Sequence, residues 1–135
     1  MSTTCPCGLD KSYEQCCGAL HSGAAAASTA EQLMRSRYSA FAVSDEAYLL
    51  RTWHPATRPS SVDFDRKQRW TGLEILGSTG GGVFHTEGTV EFVARYSYRG
   101  RVEQMWENSA FARVDGLWVY VSEAPEPRER QGEPR

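Results

Sequence analysis

Residues 111–121 read FARVDGLWVYV. Aromatic and β-branched side chains flank Asp115-Gly116. Asp and Gly best tolerate the two positive-φ positions of a type I′ turn, so this stretch predicts a hairpin. One strand ends near Val114 and the next carries Leu117 through Val121. The same texture extends back to Trp70, with glycine turns at Ser78 to Gly82 and at Arg99-Gly100. The C-terminal half is therefore expected to be a meander of antiparallel strands.

Upstream of Trp70 the period changes. From Glu31 to Val43, the residues Leu33, Met34, Tyr38, Phe41 and Ala42 recur on one helical face. Ser28 and Glu31 have the spacing of a capping box for that helix. Ser44, followed by Asp45 and Glu46, can start a second helix through Tyr48, Leu49, Leu50 and Trp53, with Pro55 ending it at His54. A short third helix can form within residues 56–69. Helices followed by a meander imply an α+β domain, with the helices packed on one face of a curved sheet.

The 135 residues suffice for one domain with a hydrophobic core and a small appendage. We expect a module over residues 1–23, the α+β domain over 24–123, and a disordered tail over 124–135, where prolines and charged groups leave little to bury. A formal net charge of -2 offers no basic footprint for nucleic acid. No run approaches the roughly 18 apolar residues of a membrane span, and the first residues lack the pattern of a signal peptide. A cytoplasmic location is expected on these grounds.

All four cysteines lie in the N-terminal module, spaced C-x-C-x8-C-C: Cys5, Cys7, Cys16 and Cys17. In a reducing compartment such pairs are more often metal ligands than disulfides, although a redox centre or disulfide pairing uses the same residues. Ordering about 20 residues costs roughly 1 to 2 kcal/mol each in backbone entropy. Leu9, Tyr13 and Leu20 cannot offset that. One structural zinc ion contributes on the order of 10 to 16 kcal/mol in small peptides, which together with docking suffices. Sulfur-rich sites also accept iron, and His21 could replace one thiolate. Asp10 can cap a short helix from Lys11, with Gly18 as its left-handed end.

Arg37 lies four residues from both Leu33 and Phe41, on the face expected to be buried, and needs a partner there. Glu91, Glu103 and Glu107 are candidates. Glu107 is favoured because it shares a strand face with Met105 and Phe111. Such a pair is also common in cores without function. His54, beside Trp53, could move a proton, or simply end a helix. His85, Glu87 and Glu91 alternate as on a solvated sheet face. Trp70, Trp106, Trp118, Tyr96 and Tyr120 are read as core, or as the lining of a cavity. Gly80-Gly81-Gly82 lacks the lysine of a phosphate cradle and reads as a turn.

CPCG, followed by Tyr13, Cys16, Cys17 and Gly18, resembles the SEC-C motif, a small zinc module found at the C-terminus of the translocation ATPase SecA. The remainder resembles the uncharacterised YchJ family, through LMRSRYSAF (Leu33 to Phe41), TWHP (Thr52 to Pro55), EFVARY (Glu91 to Tyr96) and Glu107, Ser109 and Phe111. The resemblance implies a nuclear-transport-factor-2-like cone of curved sheet and helices, often enclosing a pocket. It also implies a zinc module that docks on protein partners. Longer family members carry a second SEC-C motif after the central domain, where this chain has its polar tail. The expected function is that of a non-enzymatic zinc-binding protein, interacting with a protein through the module or holding a small anionic ligand in the cone. The alternative is a small-molecule enzyme with Arg37, His54 and Glu107 in one pocket.

Overall fold

A computed structural model of the chain describes residues 4–124. Strands β1 (Gln68–Gly80), β2 (Glu87–Tyr98), β3 (Arg101–Val114) and β4 (Leu117–Glu123) form one antiparallel sheet in that order. Both tight turns adopt the backbone their dipeptides favour: φ is 52° and 85° at Arg99 and Gly100, and 54° and 83° at Asp115 and Gly116. Register shifts at Trp70/Gly72, Ile75/Gly77 and Ala110/Phe111 interrupt the ladders. Bulges of this kind bend and twist strands, which lets the sheet curve.

Helix α2 (Ala30–Val43) packs into that curve. Leu33, Met34 and Tyr38 meet Val90, Phe92, Ala94, Phe111 and Trp118 in the main core, each large side chain contributing about 1.5–3 kcal/mol by leaving water. A second cluster joins Leu20 of α1 (Cys17–His21) to Ala40 of α2 and to Tyr48 and Leu49 of α3 (Glu46–Arg51). The N-terminal module is thus seated on α2.

The helix ends differ from expectation by a residue or more. Thr29, not Ser28, caps α2, and Gln32 Oε1 in turn accepts from the Ser28 N–H and hydroxyl. Glu31 pairs instead with Arg35. Ser44 closes α2 in the left-handed region, and Asp45 caps α3 by accepting from the Tyr48 N–H. Helix α3 ends at Arg51 because the chain then becomes extended and bridges to β4. The Tyr120 N–H donates to Thr52 O at 2.8 Å and the His54 N–H to Tyr120 O at 2.7 Å. Residues 56–69 form no helix; Val62 and Phe64 pack against the second cluster as irregular chain.

Trp106, expected in the core, sits on the outer sheet face, where its Nε1 donates to Glu91 at 2.7 Å. His85 precedes β2 and does not alternate with Glu87 and Glu91 on a strand. Of the expected tail only Ala124 is placed, its N–H donating to Asn108 O; 125–135 lie outside the described residues. Among the described residues, no helix is long and apolar enough to cross a membrane.

Candidate metal centre and ligand cavity

The cysteine pairs converge by local turns. Gly8, at φ 96°, reverses the chain behind Cys7, and the Cys5 N–H donates to Lys11 O. A 3-10 turn, Tyr13–Gln15, is capped by Ser12, and α1 begins at Cys17. The helix expected from Asp10 does not form. Gly18 lies within α1 and is not its left-handed end. Its role is close approach, because a Cβ there would stand 2.6 Å from Tyr13 O.

The four sulfurs lie within 4.8 Å of one another, with Cys5, Cys7 and Cys17 buried. Cys7 Sγ and Cys16 Sγ are 3.7 Å apart. A tetrahedral thiolate site with metal–sulfur bonds of about 2.3 Å has edges of about 3.8 Å, so donor type, number and spacing suit a metal ion. Contact with the Cys17 thiol lowers Cys7 to about 5, against the opposing effect of burial. The same contact, and then burial, pushes Cys17 up, and burial first raises Cys16 to about 11. One thiolate is held at the expense of the others, the arrangement that a bound cation would relieve.

His21 is not part of this cluster. Its Nε2 donates to Ser36 O at 2.9 Å, which leaves Nδ1 to accept from the Tyr13 hydroxyl. Nε2 therefore ties the module to α2, while Nδ1 holds α1 to the Tyr13 turn within the module. Arg35 adds a second tie through Cys7 O, and Cys5 Sγ lies 3.6 Å from Ser39 Oγ.

On the other side of α2 a cavity of about 350 Å³ opens between helix and sheet. Arg37 and Glu107 both line it. Arg37 is 4% exposed, but its direct partners are not carboxylates. Nη1 donates to Leu49 O at 2.9 Å and to Thr52 Oγ1 at 2.8 Å, while the guanidinium carbon lies 4.9 Å from the Trp53 ring centre and 4.8 Å from that of Tyr120. Burial lowers Arg37 to about 10, so it remains a cation at neutral pH. Glu107 Oε2 accepts from Ser109 at 2.7 Å and from the Tyr120 hydroxyl at 3.4 Å. Burial, then the charge of Glu107, raises Tyr120 to about 12. The expected ion pair is thus replaced by a chain in which Tyr120 stands between cation and carboxylate.

His54 does not enter this cavity. Successive side chains of an extended segment point to opposite faces, so the bridge that turns Trp53 inward turns His54 outward. It borders a separate groove with Glu87, Thr89 and Val121, and its Nδ1 accepts from the Ala56 N–H. Sequence reasoning missed Thr52 and Trp53 as the groups that hold and face Arg37. Their position directly before His54 was the available signal. A larger open groove of about 620 Å³ runs beside residues 23–27, but its charged groups, Arg51, Arg58 and Asp115, are exposed.

A model of the YchJ middle NTF2-like domain matches residues 29–123, and a model of the SEC-C motif matches residues 1–19. A UPF0225 protein of Streptomyces avermitilis is 64% identical over 87% of this chain and 81% of its own length. Another, of Streptomyces coelicolor, is 61% identical over 87% of this chain and 91% of its own. The solution structure of a SEC-C motif containing protein from Rhodopseudomonas palustris superposes with a TM-score of 0.78 at 33% identity, covering 93% of this chain and 100% of that one. The crystal structure of a SEC-C motif containing protein from Psychrobacter arcticus gives 0.72 at 26% identity, covering 92% and 82%. With both of its parts matched, and in this order, the chain belongs to the YchJ (UPF0225) family, a SEC-C motif joined to a nuclear-transport-factor-2-like domain.

Proposed function

We propose that this chain is a non-enzymatic, zinc-stapled binding protein whose cone holds a small anionic ligand. The observation that carries the reading is a cationic Arg37, 4% exposed, on the wall of a largely aromatic cavity without a carboxylate directly against it. A buried charge retains its cost until something neutralises it, and a ligand can do so. Zinc suits four sulfurs in a closed site, and it leaves no open position for chemistry when all four are engaged. Its role in this reading is to fold the module against α2, whose other face lines the cavity. An acid-base mechanism loses support from the outward orientation of His54.

Elemental analysis of purified protein should give one zinc per chain, and native mass spectrometry should show a small molecule retained or acquired from a mixture of organic anions. Replacing Cys16 and Cys17 with serine should remove the metal. If the cysteines carried no metal and no anion bound, the reading would be lost.

A further inference from the structure

The shape and polarity of the cavity specify more than an anion. At about 350 Å³ it is near the lower end of small-molecule sites, which span roughly 300–1,000 Å³. That is room for a single substituted ring, not for a nucleotide. Tyr38, Trp53, Trp70, Phe92 and Tyr120 supply much of the wall, and several meet edge-to-face: Tyr38 and Trp70 at 5.9 Å, Trp53 and Tyr120 at 5.2 Å. Such walls favour a flat aromatic guest, which gains both apolar burial and ring contacts.

Two polar groups are set into this wall with capacity unspent. Arg37 uses Nη1 alone, while Nε and Nη2 hydrogen-bond to none of the described residues. No described side chain leaves a fully buried nitrogen or oxygen unpaired, so this edge of the guanidinium meets open space. The Nε–Nη2 edge is the fork that takes a carboxylate by two parallel hydrogen bonds. Beyond the Tyr120 ring, Glu107 has both its hydrogen bonds on Oε2. Its Oε1 is left to accept from a donor.

We infer that the cavity binds a small aromatic carboxylic acid bearing a hydroxyl or amino group. The carboxylate lies on the free edge of Arg37, the ring lies among the aromatic walls, and the donor reaches Glu107 Oε1. This inference rests on the ligand-binding reading above and assigns the chemical class of the ligand.

The test titrates the intact, zinc-loaded chain with 4-hydroxybenzoate, benzoate, 4-hydroxybenzamide and phenol, following the emission of Trp53 and Trp70 together with ligand saturation-transfer NMR. The hydroxy acid should bind about tenfold or more tightly than its amide, the loss expected when a charged hydrogen-bonded pair is removed. It should also exceed benzoate. Arg37→Gln should abolish the preference for acid over amide, and Glu107→Gln should weaken the preference for hydroxy acid over benzoate. If Arg37→Gln fails to fold, the acid-against-amide comparison on the unaltered chain decides the matter. Equal binding of acid and amide would overturn the assigned class while leaving the cavity as a binding site. Unchanged acid binding by folded Arg37→Gln would also overturn the class. Failure of every probe at millimolar concentration would overturn both the class and the reading beneath it.

Discussion

Arg35 Nη1 donates a 2.8 Å hydrogen bond to the carbonyl oxygen of Cys7, so the helix that lines the cavity also holds the backbone of a cysteine in the candidate metal site. Nε of the same side chain pairs with Glu31 at 3.2 Å, one helical turn away. Arg35→Met should keep the helix, since both residues are good helix formers. It should nevertheless lower zinc affinity by about tenfold, the lower end of what supporting groups contribute around a metal. Competition against a chromophoric chelator measures this, and unchanged affinity would show that the module is positioned without Arg35.

Gly18→Ala tests the packing inside the module. Alanine is ordinarily favoured in a helix, but here its Cβ would lie 2.6 Å from Tyr13 O and 2.9 Å from the Tyr13 ring. The substitution should cost about 1–3 kcal/mol, as overpacking does elsewhere. Urea denaturation of the zinc-loaded protein is the measurement. A gain in stability would mean that helix propensity outweighs the clash.

Arg113 spans the loop between β1 and β2. It donates to His85 O at 2.7 Å, Val83 O at 2.9 Å and Gly116 O at 3.1 Å, and its guanidinium carbon lies 4.6 Å from the Trp118 ring centre. A lysine cannot reproduce this planar, many-armed contact. Arg113→Lys should cost about 1 kcal/mol and speed amide exchange across residues 82–86, while leaving metal content and cavity binding unchanged. Protection that stays the same in that loop would assign its order to the backbone alone.

Alkaline pH should weaken the fold. Burial raises Tyr38 and Tyr120 to about 12 and pushes Tyr13 and Tyr48 in the same direction. Unfolded tyrosine ionises near 10, so from about pH 10 to 12 the folded state keeps protons that the unfolded state loses, and stability falls. Arg37 acts oppositely, because its pKa is lowered from 12.5 to about 10 and the folded state sheds that proton first. With four tyrosines against one arginine, the urea midpoint should drop between about pH 10 and 12. Absorbance at 295 nm should show a class of tyrosines that ionises only with unfolding. A rising midpoint would show the arginine to dominate.

Several features are legible in the sequence because they depend on neighbours along the chain. Asp115-Gly116 and Arg99-Gly100 dictate tight turns through their tolerance of positive φ. The 3.6-residue period from Leu33 to Phe41 marks α2 and correctly puts Arg37 on a buried face. The cysteine spacing marks a candidate metal site, four sulfurs brought together, because two close pairs need only a short loop to converge. Even Trp106 is within reach of the period-two rule, since a strand that buries Met105 and Phe111 must turn Trp106 the other way.

The tertiary structure decided the partners. Arg37 Nη1 is held by Leu49 O and Thr52 Oγ1, which the packing of α3 on α2 brings into reach. His21 is occupied by Ser36 and Tyr13 and stands outside the cysteine cluster. His54 is turned away by a two-bond bridge between residues 52–54 and Tyr120. Each outcome depends on which backbone groups remain unpaired when distant elements meet. A local pattern shows which face a side chain takes, but the hydrogen bonds left open by the fold determine what it meets there.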